Sequence, residues 1–324
     1  MKIGDHLRKW LGIDKRLERI QTRQRILETH LEHITCLYLS EKNADAVEQP
    51  TIMPNLSGGL GNQLFQIAAA YAVARRVGSR LAINYNRHTS AGQGNHPSKY
   101  RDTLYRKIDV TEEWPILVYR YPEFIYNPLM PVRNAVLDGF FQSGKYFRDV
   151  ADEVRQLFEF PKEIVAGAQR VLAQDPRPAV GVHIRLGDYL SNSNKSSLHV
   201  CTRYYYQKTI RRYPPDKYRI IVCSDDHAIA KKLVRGLKVE FYAGADDLAE
   251  MTLLSQCEQL IISNSSFSWW SAFLGVKKKM VFAPNRWFAH DVHPTDEDMY
   301  ETGWKRHPIR PRRMSWDRVK YFFR

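Results

Sequence analysis

Residues 180–190 read VGVHIRLGDYL. The stretch opens as a buried strand, Val180 to Ile184, and ends in charge at Arg185 and Asp188, with Gly187 between them. Side chains alternate along a strand, so His183 and Arg185 share one face and Leu186 takes the other. A short apolar strand without polar alternation fits a parallel sheet covered on both sides. Such sheets bind ligands beyond the carboxyl ends of their strands, which is where Arg185 and Asp188 fall.

The pattern repeats on the C-terminal side. Strands are predicted at 179–184, 217–223, 238–242, 259–263 and 279–283, with helical patterns near 203–213, 227–236, 246–257 and 266–275. This alternation predicts a doubly wound α/β domain. On the N-terminal side, TIMPNL (51–56) reads as a strand, SGGLGNQ as a turn and 62–77 as a helix. RLAINY and AVLDGFF (135–141) read as further strands, and helices are predicted near 146–158 and 161–174. Residues 85–134 are rich in Tyr, Pro and basic residues and give no order of elements. The prolines of QDPRPA (174–179) mark a boundary. The predicted units are a helical extension with linker (1–50), an α/β domain (51–175), a second α/β domain (176–304) and a basic aromatic tail (305–324).

The 324 residues carry 49 Lys and Arg against 35 Asp and Glu, a net charge of +14. Such a balance suits an anionic partner. Half of it lies in the tail, where eight Lys and Arg face one acid, Asp317, beside Trp316, Tyr321, Phe322 and Phe323. The tail is a candidate contact for an acidic membrane surface, or simply a solvated end. No run of about 18 apolar residues predicts a transmembrane helix. The first 20 residues lack an apolar signal core, and Cys36, Cys201, Cys223 and Cys257 lack disulfide or zinc spacing. The expected location is cytoplasmic, including the periphery of the inner membrane.

Within the extension, Trp10, Ile13, Leu17, Ile20, Gln24, Leu27, Leu31, Ile34 and Tyr38 alternate spacings of three and four. That is a heptad seam with one polar residue, Gln24, at an a-type position. It reads either as a coiled coil joining subunits through residues 10–38, or as one amphipathic helix packed on its own domain or on a membrane.

Four constellations carry candidate chemistry. Arg185 offers a planar, permanently charged fork for phosphate, and His183 a second donor on the same face. Gly58-Gly-Leu-Gly61-Asn62-Gln63 lies between a strand and a helix, where exposed N–H groups favour an anion. Position 64 is Leu and no Lys-Ser/Thr follows, so neither a dinucleotide fingerprint nor a P-loop is complete. Ser263-Asn264-Ser265-Ser266-Phe-Ser268-Trp-Trp crowds hydroxyls at a helix start, and its adjacent Trp269 and Trp270 cannot share one helix face. Cys223-Ser-Asp225-Asp226 puts acids at another strand end, suited to a base or ribose, or to capping the next helix. The acids at Asp296-Glu-Asp298 follow no apolar strand, so no metal site is predicted there.

Together these motifs resemble glycosyltransferase family 11, the α-1,2-fucosyltransferases, over about residues 51–290. The segments that carry the resemblance are GGLGNQLFQIAAAYAVA, GFFQSGKYF (139–147), HIRLGDYL, CSDD and LLSQCEQLIISNSSFSWWSAFLG. The resemblance implies a GT-B fold, two facing Rossmann-like domains, with GDP-β-L-fucose as donor, no metal or other cofactor, and inversion at the anomeric carbon. It implies that Arg185 and His183 hold the diphosphate. Asn264, Ser265, Ser266 and Ser268 would then line the donor pocket, with Asp225 or Asp226 on the nucleoside side. Gly61, Asn62 and Gln63 would face the cleft from the other domain. The family usually has a second Arg where this chain has Leu186; since that position points away from Arg185, its change is expected to affect structure and not activity.

The expected reaction is a single displacement by the 2-hydroxyl of a galactose-containing glycan, in surface polysaccharide synthesis of bacterial style. Arg185 would stabilise charge on the departing GDP, and Asp188 is the candidate base. The alternatives are a transferase for another GDP-sugar and a non-catalytic protein of the same fold that binds nucleic acid or an acidic membrane; a nucleic-acid partner is not expected.

Overall fold

The computed structural model describes residues 20, 24, 28, 31, 34, 35, 37–45, 47–87, 94–115, 117–121, 126–187, 200–275, 280–288 and 295–309. These form two parallel sheets. The first holds β1 (Thr51–Pro54), β2 (Arg80–Ile83), β3 (Asp109–Val110), β4 (Leu117–Tyr121) and β5 (Ala135–Gly139), in the order β3-β2-β1-β5-β4. The second holds β6 (Ala179–Ile184), β7 (Arg219–Ser224), β8 (Glu240–Phe241), β9 (Gln259–Ile261), β10 (Met280–Pro284) and β11 (Lys305–His307), in the order β11-β10-β9-β6-β7-β8. The helices are α1 (Leu60–Val77), α2 (Ala151–Leu157), α3 (Lys162–Leu172), α4 (Arg203–Ile210), α5 (His227–Leu233), α6 (Asp247–Gln256) and α7 (Ser266–Phe273).

Each sheet starts at an inner strand, grows to one edge and then returns to the other side. β1 therefore lies between β2 and β5, and β6 between β7 and β9. The pairs β1–β5 and β6–β9 are topological switch points, where the loops beyond the strands diverge and leave a crevice.

Burial follows the alternation expected of β6. Val180, Val182, Ile184 and Leu186 are fully buried in one cluster with Tyr205 and Tyr206 of α4. Their neighbours Gly181, His183 and Arg185 take the opposite face. Because both faces are covered, an uninterrupted apolar run and not an alternating one encodes this strand.

The two sheets share a core. α1 is buried almost all round, as its run of alanines allows. Phe65 of α1 lies 4.6 Å from Trp269 and 5.1 Å from Trp270, centroid to centroid. Phe147 stacks on Trp270 at 5.5 Å, and Phe158 meets it edge-on at 5.4 Å. The adjacent tryptophans do take different faces of α7, yet both are fully buried. The reason is that α7 has protein on every side: Trp269 also donates its indole N–H to the Met299 carbonyl, 2.9 Å away.

Several boundaries differ from the sequence reading. Residues 85–134 contribute β3, β4 and short 3-10 turns at Tyr85–Arg87 and Pro97–Tyr100. The expected helix near 146–158 begins as a 3-10 turn, Gly144–Val150, and becomes α2 only at Ala151. The first residues of the expected tail form β11, paired in parallel with β10. Tail residues 310–324 lie outside the described residues, as do Trp10, Ile13, Leu17 and Leu27 of the heptad seam. In the extension, residues 37–44 are helical and Ala44 and Ser40 are buried. Ser40 accepts a hydrogen bond from the Arg133 amide at 3.0 Å. Among the described residues no helix is long and apolar enough to cross a membrane.

Candidate active site

The loops from both switch points meet. From the first sheet come the glycine loop after β1, which runs into α1, and residues 140–143 after β5. From the second come residues 185–187 after β6 and residues 262–265 after β9, which run into α7. Gly61 touches α7 so closely that a Cβ there would lie 2.4 Å from the Phe267 amide nitrogen. Asn62 Oδ1 accepts hydrogen bonds from Ser266 Oγ and from Gln142 Nε2, each at 2.7 Å. The N-terminal ends of α1 and α7 thus converge, and each directs unpaired N–H groups and a positive dipole end toward the junction. That arrangement favours an anion.

Gln63, expected to face the cleft, is fully buried and braces the glycine loop. Its Nε2 donates to the Gly58 and Asn95 carbonyls at 2.9 Å, and its Oε1 accepts from Tyr105 at 3.0 Å. Beside Gln142, Phe141 has φ of 49°, a left-handed conformation that a bulky residue adopts only under strain. Strain of this kind gathers at functional sites.

At the end of β6, Arg185 lies 3.1 Å from Asp225 Oδ2 and is about a third exposed. Asp225 Oδ1 accepts the Leu186 amide at 2.9 Å, so one carboxylate holds both the guanidinium and the turn that presents it. A Cβ on Gly187 would come within 2.6 Å of that same carboxylate, which is why the turn takes glycine. His183 is buried, with Nδ1 2.5 Å from Ser268 Oγ and 3.2 Å from Ser263 Oγ. Burial, and then the neighbouring Arg185 charge, push its pKa down to about 3, so the ring is neutral. If Ser268 donates to Nδ1, the ring proton sits on Nε2 and leaves that atom as a donor.

The remaining expected residues divide into two groups. Ser266 stands at the junction, bonded to Asn62. Ser265 takes the N-cap position of α7, without a side-chain cap. Asn264 and Ser268 are buried: Asn264 Nδ2 donates to the Trp287 carbonyl at 2.8 Å, and Ser268 braces His183. Asp226 caps α5, accepting the Ile229 amide at 2.9 Å. Asp188 lies outside the described residues.

Two groups escaped the sequence reading. Asp247, at the start of α6, pairs with Lys99 at 2.7 Å and accepts from Asn95 at 3.1 Å and from Tyr100. It ties the second sheet to the loop that carries Gln63's partner, Asn95. Glu250, one turn further along α6, is half-buried. Burial, with Asp247, Asp225 and Asp246 nearby, pushes its carboxyl up to about 7, against a hydrogen bond from the Gly244 amide. Neither group had a motif to mark it; the only signal was acid density in ADDLAE (245–250).

The acids at 296–298 all have protein partners. Asp298 holds Lys145 at 2.5 Å, Glu297 holds Arg306 at 2.5 Å, and Asp296 accepts the Phe288 amide at 3.1 Å. Among the described residues no group of three or more His, Cys, Asp or Glu could hold a metal ion. A cavity of about 810 Å³ opens among Arg155, Phe158, Phe160, Gln256 and Leu274. It adjoins the C-terminal ends of α6 and α7, opposite to the ends that meet the switch points.

Comparison with known proteins identifies the family. The family model described as glycosyl transferase family 11 matches residues 19–307. The chain is 28% identical to the O-antigen biosynthesis glycosyltransferase WbnK of Escherichia coli, over 72% of this chain and 94% of that protein. It is 30% identical to an α-1,2-colitosyltransferase of Escherichia coli, over 74% of this chain and 93% of that protein. It is 26% identical to galactoside α-(1,2)-fucosyltransferase 1 of Rattus norvegicus, over 69% of this chain and 63% of that protein.

Proposed function

Because this chain belongs to glycosyltransferase family 11, we propose that it transfers L-fucose from GDP-β-L-fucose to the 2-hydroxyl of a galactoside, with inversion and without a metal. The two parallel sheets are then the two halves of a GT-B enzyme, divided near residues 175–176, with the donor on the second sheet and the acceptor on the first. The carrying observation is the junction itself: Arg185 and His183 leave β6 on one face, beside the meeting N-termini of α1 and α7. The names of relatives support fucose transfer to a galactoside, and the O-antigen relative supports a role in surface polysaccharide synthesis; we place that role at the cytoplasmic side of the inner membrane.

In this reading the acceptor hydroxyl attacks the anomeric carbon as its bond to the GDP oxygen breaks. Negative charge grows on the β-phosphate, and the Arg185 fork meets it with two parallel hydrogen bonds. Helix N-terminal N–H groups add fixed dipoles that need no reorganisation. His183 contributes a neutral Nε2–H, and Asp225 keeps the guanidinium aimed. Asp226 shapes the nucleoside side through its cap on α5. Ser265 and Ser266 edge the donor pocket, while Asn264 and Ser268 hold its wall. Asp188, three residues beyond Arg185, takes the acceptor proton.

The test is release of GDP from GDP-fucose with and without lactose. Arg185→Ala should lower acceptor-dependent turnover by a factor on the order of 10² to 10³, as for one lost electrostatic donor. Arg185→Lys should recover only part of it, because a point charge replaces the fork. Equal turnover in wild type and Arg185→Ala would refute the assignment. GDP-colitose, run alongside, distinguishes the donor; preference for it would move the chain toward its colitosyltransferase relative.

A further inference from the structure

We infer that Gln142 is a positioning residue: it fixes the Asn62 side chain with its amide N–H groups turned to the crevice, where they meet the departing diphosphate. The inference rests on the reading of the chain as a GDP-sugar transferase. Asn62 stands in the first turn of α1 and is half-buried. Its Oδ1 accepts from two donors at 2.7 Å, Gln142 Nε2 and Ser266 Oγ. A carboxamide oxygen has two lone pairs, so both are occupied. The amide nitrogen points the other way, over the glycine loop: a Cβ on Gly58 would lie 2.6 Å from Asn62 Nδ2. Among the described residues no protein group accepts from that nitrogen. Two oriented N–H donors therefore remain for a ligand.

The backbone that presents Gln142 separates this role from a simple tie between the sheets. Among the described residues Phe141 is the one non-glycine with positive φ. The Ser143 amide returns to the Phe141 carbonyl at 2.7 Å, a γ-turn with Gln142 at its tip. The Phe141 ring is buried against Tyr121 and Tyr146, 6.1 and 5.6 Å between centroids. It lies so close to Gly139 that a Cβ there would be 2.9 Å from its Cζ. Ser143, also buried, donates its hydroxyl to the Asp298 carbonyl at 2.7 Å. Both neighbours of Gln142 are thus fixed, and Gln142 itself stays half-buried and reaches Asn62, 80 residues earlier. Lys145 and Asp298 tie the same two sheets from backbone of negative φ, so a tie alone does not call for this bend. Strained backbone persists where the surroundings impose it and a ligand site uses the result.

Charge grows on the diphosphate only as its bond to the sugar breaks, so donors aimed there lower the barrier more than they tighten binding. The test is a double-mutant cycle on turnover, with whichever of GDP-fucose and GDP-colitose the wild type prefers. Gln142→Met should lower kcat roughly ten-fold, with a smaller change in KM, because the Asn62 amide is then free to turn. Asn62→Ala should lower kcat by a factor on the order of 10², as for one lost electrostatic donor. In the Asn62→Ala background Gln142→Met should lower kcat no further, since its effect passes through that amide. Melting temperatures of the variants should stay near that of the wild type. If Gln142→Met melts early, Gln142→Glu, of the same shape, takes its place in the cycle. Its carboxylate cannot donate, so Asn62 must turn its N–H groups toward it and away from the crevice. Additive losses, or a lowered melting temperature with kcat unchanged, would overturn the inference and leave the transferase reading intact. A wild type that turns over neither GDP-sugar would remove that reading and the inference with it.

Discussion

At the scale of the residue, His183 is the sharpest case of chemistry set by burial. A surface imidazole binds a proton near 6.5, but this one does so only near 3. Between those values the unfolded chain holds more protons than the folded one. The stability this residue contributes is therefore complete above pH 6.5 and is lost as pH falls toward 3. Thermal melting between pH 7 and 4.5 should show it. His183→Gln, which can still bond Ser268, should lose less of its melting temperature on acidification than the wild type does. Equal losses would mean that the imidazole is not held neutral. The motif could be read from the sequence, but the state of the ring could not. Strand position told which face His183 takes, whereas its low pKa comes first from burial, under a segment whose Ser263 and Ser268 lie 80 and 85 residues away.

At the scale of the element, β6 sets which way the Leu186 side chain points just beyond its end. That side chain belongs to the buried cluster of Val182, Ile184 and Tyr206, across the sheet from Arg185. Leu186→Arg should thus place an unpaired guanidinium in an apolar cluster and cost about 3–5 kcal/mol. Urea unfolding should report that loss, with no gain in affinity for GDP. A variant as stable as wild type would mean that the side chain reaches water. β6, β7, β9 and β10 were legible because each is an apolar run, rich in branched residues, between turn signals. β8, Glu240–Phe241, falls inside the strand read at 238–242, whereas β3 has only two residues, too few to carry a period. β4, LVYRY, alternates buried and exposed, but its tyrosines and arginine resemble those of the loops around it.

At the scale of the whole molecule, the site exists only because two sheets are held at a fixed separation, and the residues that hold them are far apart in sequence. Asn62 and Ser266 stand 204 residues apart, Lys145 and Asp298 153, Tyr100 and Asp247 147. No local pattern could announce such pairs, so this wiring was invisible where the strands were not. The three links differ in what they touch. Lys145–Asp298 lies at the crossing of residues 295–309 back to the first sheet, where Asp298 also accepts the Tyr126 amide at 2.9 Å. The Asp247 link is the one joined to the glycine loop: Asn95 donates to Asp247 and accepts from Gln63, which in turn holds Gly58. Asp247→Asn removes the charge that draws Lys99 while leaving an amide oxygen for Tyr100 and Asn95. Because Lys99 and Asp247 are both about a third exposed, solvent screening keeps the stability cost near 1 kcal/mol. Function should suffer more than stability, since a loosened glycine loop no longer presents the α1 N-terminus to the departing diphosphate. We expect the urea midpoint to move little while the KM for GDP-fucose rises several-fold, and Lys145→Met at the other link to do the reverse. If both variants change stability and KM in the same proportion, the links only hold the fold together, and Asp247 has no separate part in positioning the loop.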